Sequence, residues 1–194
     1  MKFGAASVGL VFCLSALVGA AEEPKLLVKV TPLPVALNKD FEFRKTKLYL
    51  LSEKAPKQTG AKKATSLSPG ALSSTATQRT IVNQDSSIAF ERQYRLFGAV
   101  TNFDQHQRFG NYFDFFWRAK RPADLTVRLE YRQEKLHDLV QAQEISYRNV
   151  HGTHQTEFKV IGDDYFDDGR VIAWRCLLIE NGQIVAEDRS YLWE

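Results

Sequence analysis

An antiparallel all-β fold, a β-sandwich of about seven to eight strands, is what this chain predicts. Three observations carry that expectation. Leu125, Val127, Leu129 and Tyr131 alternate with Thr126, Arg128, Glu130 and Arg132, the period of two that gives a strand one dry and one wet face. Asn181-Gly182 separates two apolar runs, and such residues tolerate the positive φ angles of a two-residue type I′ turn. All three tryptophans and six of the seven tyrosines follow Ser87, so the aromatic mass for a core is concentrated in residues 88–194.

The chain opens with a secretory signal, residues 1–20. Lys2 precedes an uncharged stretch holding Val8, Leu10, Val11, Phe12, Leu14, Leu17 and Val18, and Val18-Gly19-Ala20 places small or modest side chains where a signal peptidase reads, so cleavage falls before Ala21. Gly4, Ser7, Gly9, Ser15 and Gly19 dilute this run below what a bilayer anchor of about 20 strongly apolar residues requires, so no transmembrane span is expected after cleavage. Residues 21–51 form an N-terminal β segment with two strand-prone runs, Leu26 to Val30 and Phe41 to Leu51, interrupted by Pro32, Pro34 and Asn38. Residues 52–87 contain no aromatic and carry Lys54, Lys57, Lys62, Lys63 and Arg79 against Glu53 and Asp85; the stretch buries too little apolar surface to offset the entropy of ordering it and reads as a linker or long loop.

Within residues 88–194 strands are expected at Gln93 to Thr101, Phe113 to Arg118, Leu125 to Arg132, Val140 to Tyr147, Gln155 to Ile161, Arg170 to Ile179 and Ile184 to Leu192, with Arg121 to Asp124 as a turn and Glu134 to Leu139 as the one short helix. A tight hairpin at Asn181-Gly182 that pairs Glu180 with Gln183 also opposes Ile179 to Ile184, Leu178 to Val185, Arg175 to Asp188, Trp174 to Arg189 and Ile172 to Tyr191.

Composition narrows the function classes. Of 194 residues 44% are hydrophobic and 25% charged, as in an ordinary globular protein, and 26 basic against 23 acidic residues give a formal charge of +3, which makes no electrostatic case for nucleic acid. No phosphate loop, HExxH helix, GxSxG elbow or paired CxxC occurs. Cys13 leaves with the signal, so Cys176 has no partner for an internal disulfide and stability must come from packing.

Asp167-Asp168-Gly169-Arg170-Val171-Ile172-Ala173 resembles the D-x-G-x-Y-x-C signature that opens the sixth strand of immunoglobulin-type domains, and Trp117 stands upstream near the place of that family's core tryptophan. The resemblance implies an Ig-like sandwich and no activity. Val171 and Ala173 stand where the family has its corner tyrosine and its cysteine, so neither the tyrosine corner nor the inter-sheet disulfide is implied. An exported sandwich with a signal and no disulfide also resembles the small β-sandwich proteins encoded alongside bacterial type IV pili.

The loop from Asn102 to Asn111 mixes aromatics with polar groups, and loops on a rigid sandwich are where binding sits; Phe103, His106, Arg108 and Phe109 are the candidate binding residues, with packing of the two phenylalanines into the end of the core as the alternative. No catalytic set, cofactor or metal site is expected. Asp163, Asp164, Asp167 and Asp168 are the candidates should a loop hold calcium, and His151 with His154 lacks a third ligand for zinc. The expectation is therefore an exported, non-catalytic protein that binds protein or glycan at the bacterial cell envelope, in the periplasm, at the surface or outside, with self-association through an edge strand open to it. The alternative is a secreted hydrolase using loop carboxylates.

Overall fold

The computed structural model describes residues 24–27, 30–53 and 88–193; the leader and nearly all of the 52–87 segment lie outside them. The fold is all-β and antiparallel. Strands β1 (Lys25–Leu27), β2 (Phe41–Leu51), β3 (Gly110–Gln133), β4 (Val140–Ile161), β5 (Val171–Glu180) and β6 (Gln183–Arg189) form one six-stranded sheet. Its order is β1-β4-β3-β5-β6, with β2 also paired to β3. Among the described residues three short helical stretches accompany it: α1 (88–96), α2 (Asn102–His106) and α3 (Asp163–Asp168).

The β3–β4 hairpin organises the rest. In place of a turn at Arg121 to Asp124, β3 runs on without interruption, and its ladder with β4 merely slips between Ala119, Ala123 and Leu125. Proline at 122 supplies no N–H to a ladder, so a bulge is where it fits. Opposite it, β4 carries Asn149 (φ +48°) and Gly152 (φ +94°), and the Asn149 N–H donates to Asp124 Oδ1 at 2.6 Å. Both long strands therefore bend at the same level. Their two halves have different neighbours: β2 pairs with β3 along 110–119, whereas β5 pairs along 126–133. The rings of Phe113 and Phe115 on the first half meet Trp174 of β5, on the second, at 6.2 and 5.4 Å. Arg121 pins the bend by bridging Asp40 (3.3 Å) and Glu180 (2.7 Å) and lying over the Phe41 ring.

Both halves contribute to one core, in which Phe115, Trp117, Val127, Leu129, Phe158, Cys176 and Leu178 are fully buried. The Trp117 indole N–H donates to Thr156 Oγ1 at 2.8 Å, so the largest side chain leaves no unpaired donor. Burial pushes the Cys176 thiol well above its ordinary pKa, and the Tyr131 hydroxyl up to about 12.

Five further expectations are corrected. Gln93 to Thr101 is not a strand: residues 88–96 are helical, with Arg95 Nη2 2.7 Å from Glu91 one turn back and Phe90 stacked on Tyr94 at the same spacing. Glu134 to Leu139 is a run of turns, and 140–161 is one strand rather than two. The hairpin begins as expected with Glu180 to Gln183 and Ile179 to Ile184, but a bulge then sets Leu178 opposite Ala186, Cys176 opposite Asp188 and Arg175 opposite Arg189. The extra residue lets Ile184 turn outward to Leu33 while Val185 and Ala186 return to the core. Finally, the wet face of β3 is not wet. Arg128 and Glu130 are buried there: Glu130 receives Arg175 Nε at 2.7 Å, Arg128 contacts Glu144 and donates to the Thr31 carbonyl, and Trp193 lies between Arg132 and Arg175 at 5.0 and 5.1 Å. The segment around Thr31 and Leu33 crosses this face and the C-terminal tail closes over it.

Candidate functional site

Helix α1 lies on the outer face of the half-sheet formed by β2, β3 and the end of β4. Arg95 anchors it: the guanidinium is 3.2 Å from Glu157 and 3.7 Å from Asp114, and it covers the Tyr112 ring at 3.9 Å and the Tyr49 ring at 5.4 Å. Arg92 donates to the Ser52 and Glu53 carbonyls, and Leu96 packs with Leu51, Phe109 and Tyr112. Burial raises the Tyr112 hydroxyl pKa. Residues 91, 92, 95 and 96 thus face the sheet, which turns the stripe at i, i+4 and i+7 outward. That stripe is Phe90, Tyr94 and Phe97.

Gly98, at φ +80°, ends the helix, and Arg108 donates to the Arg95 and Phe97 carbonyls, placing a cation where the helix C-terminus is negative. Helix α2 follows, opened by a capping box in which Thr101 Oγ1 accepts from the Asp104 N–H and Asp104 accepts from the Thr101 N–H. The Thr101 backbone N–H, followed by the Thr101 hydroxyl, draws the Asp104 carboxyl below the usual carboxylate range. Along this helix-turn-helix Phe90, Tyr94, Phe97, Val100 and Phe103 stand 67–86% exposed.

Of the loop candidates, Phe103 belongs to this exposed row. Phe109 is buried against Leu51 and Tyr112 and meets Phe166 edge-on. His106 stacks on Phe166 at 3.9 Å with Nδ1 3.8 Å from Asp163, and Arg108 is occupied with the helix carbonyls. The structure does not bring the four together into one surface. Phe90, Tyr94, Phe97 and Val100 were missed, although a stripe at helical spacing was there to read.

Asp163, Asp164, Asp167 and Asp168 decorate α3, whose backbone is held by Gln133 Nε2, donating to the Asp164 and Gly169 carbonyls at 2.8 Å, and by Lys135 Nζ, donating to the Phe166 and Asp167 carbonyls. Among the described residues no three His, Cys, Asp or Glu side chains converge as a metal site, and no helix is long and apolar enough to cross a membrane. His154 lies on Trp117 at 4.8 Å and its Nε2 meets the His151 carbonyl.

A second feature is an open groove of about 570 Å³ beside the last half of β4, lined among others by Leu26, Ile145, Tyr147, Glu157, Lys159 and Asp164. Partial burial, followed by the neighbouring Asp168, Asp163 and Asp167 carboxylates, raises the pKa of Asp164. Comparison with protein-family models, curated proteins and solved structures finds no match to this chain.

Proposed function

We propose that this chain is an exported, non-catalytic binding protein, an Ig-like sandwich of the kind found beside bacterial type IV pili, that holds a protein partner at the cell envelope through the aromatic row of α1 and α2. The exposed row carries the reading. Five large apolar side chains left in water along one short helix-turn-helix are unusual on a monomer, and aromatic anchors of this kind dominate protein interfaces. Within the row only the Tyr94 hydroxyl is polar, too little hydrogen bonding for a glycan. The test is capture from envelope extracts with the tagged protein and its Phe97→Ala/Phe103→Ala variant. The variant should melt as the parent does and lose the captured protein at least tenfold. Equal capture, or retention on a glycan array in place of protein capture, refutes the reading.

A second reading, a hydrolase using loop carboxylates, is favoured by one observation: Asp164, held toward its protonated form, lines the same groove as Glu157, which Arg95 and Lys159 keep in ion pairs. Turnover of a glycan or ester panel that disappears in Asp164→Asn would replace the binding reading with this one.

A further inference from the structure

The edge of β4 is open over its last half. On the side away from β3, β1 covers only Ala142, Gln143 and Glu144, and no described strand lies beside residues 152–161. Two hydrogen bonds fix which backbone groups face outward. The Gly162 N–H donates to the Phe109 carbonyl, so even-numbered residues of this stretch point at β3; the Lys159 carbonyl accepts from Gln143 Nε2, across the groove. Antiparallel strands alternate in this way, so Gln155, Glu157, Lys159 and Ile161 turn their N–H groups away from β3, where they meet no backbone partner among the described residues, while Thr156, Phe158 and Val160 stay buried in the core.

An exposed edge of this kind is a template for another strand. Its sequence selects the occupant. If a second copy of the same strand is laid antiparallel about a two-fold axis at Phe158, outward-facing residues meet outward-facing residues: Glu157 opposes the partner's Lys159, Lys159 opposes the partner's Glu157, and Gln155 and Ile161 pair at the flanks. One interaction made twice is the signature of an isologous interface. The neighbouring register, centred on Glu157, would set that carboxylate against its own twin, and like charges directly opposite are destabilising.

We infer that two copies of this chain pair edge to edge through residues 155–161 of β4, extending the sheet across a two-fold axis, with the Glu157–Lys159 pair that closes at 2.8 Å inside each subunit re-formed reciprocally across the axis. Tyr94 of the aromatic row borders a recess that Glu157, Lys159 and Ile161 also line, but the pairing uses the β4 backbone and does not depend on that row.

The experiment is mass measurement by light scattering across the micromolar range. The wild type should dimerise. Lys159→Glu places two carboxylates opposite each other at both ends of the axis and should weaken the dimer about tenfold, about 1.4 kcal/mol; Glu157→Lys should do the same with two ammonium groups. An equimolar mixture of the two variants restores both opposite-charge pairs and should dimerise again. Gln155→Pro removes an outward N–H, costs no ladder bond within the subunit, and should leave a folded monomer. A wild type that stays monomeric, a mixture no better than its components, or a Gln155→Pro protein that still dimerises would overturn the inference.

Discussion

Replacing Trp193 with alanine tests whether the outer face of β3 and β5 is a built interior. The ring is only 6% exposed and lies between the guanidinium groups of Arg132 and Arg175 at 5.0 and 5.1 Å. Truncating a buried tryptophan costs about 3–5 kcal/mol in a well-packed core, and each lost cation–π contact contributes about 0.5–1 kcal/mol. The site lies in a C-terminal tail that can partly collapse, so the low end applies, about 3 kcal/mol. For a domain of this size that lowers Tm by about 6–12 °C. Urea unfolding followed by tryptophan fluorescence and circular dichroism measures it, with Leu192→Ala, at an exposed neighbour, expected within about 0.5 kcal/mol of the parent. A Trp193→Ala loss below about 1 kcal/mol would mean that the tail is not part of the fold.

Three further expectations follow from the same contacts. Glu130→Gln should destabilise by about 2 kcal/mol in urea, because it removes the buried charge that receives Arg175 and lies 3.5 Å from Arg128. Gly110→Ala should abolish soluble expression or cost about 3 kcal/mol or more, since at φ +143° a Cβ would sit 2.2 Å from the Val160 carbonyl oxygen and 2.7 Å from Ile161 Cα, both backbone atoms. Asp164→Asn should stabilise slightly at neutral pH. Its carboxyl has a raised pKa in the folded state, so the advantage of the protonated form is complete below the unfolded pKa and disappears as pH rises through the folded value; parent and variant should therefore converge in acid, and a gap that widens in acid would contradict the assignment.

The strands were legible where packing obeys one period. Phe113 to Trp117 and Leu125 to Tyr131 alternate, and the structure buries those residues as the alternation requires. The bend was not legible, because Arg121-Pro122-Ala123-Asp124 carries the same signal whether the chain reverses or only kinks; what decides is β4, whose Asn149 and Gly152 bend at the matching level. The buried charge ladder was misread because Arg128, Glu130 and Arg132 look solvated until Thr31, Leu33 and Trp193, remote in sequence, are laid over them. The aromatic row was obscured by a short stretch in which Phe90, Tyr94 and Phe97 fit a helix and Gln93 to Thr101 also fits a strand.

Coverage of the sheet is unequal among the described residues. The half carrying β5 and β6 has its outer face sealed: residues 34–38 bond to Ile184 and Val185, Leu33 caps Leu177, Ile179 and Ile184, and Trp193 closes the charged row. The far edge is also tied, through the Thr46 hydroxyl donating to Asp188 between β2 and β6. Among the described residues, the half built from β2, the start of β3 and the end of β4 carries the exposed aromatic row and the edge of β4, while Val35, Leu37, Tyr191 and Leu192 stand exposed on the segments that cover the other half. On the half with β2, α1 covers the face but turns its own aromatics outward, and no described strand neighbours the last half of the β4 edge. These two surfaces are chemically distinct, one apolar side chain and one polar backbone, so they suit different occupants. A Phe97→Ala/Phe103→Ala protein should accordingly still dimerise, and a Gln155→Pro protein should still capture the partner; loss of both properties in either variant would show that the two surfaces act as one.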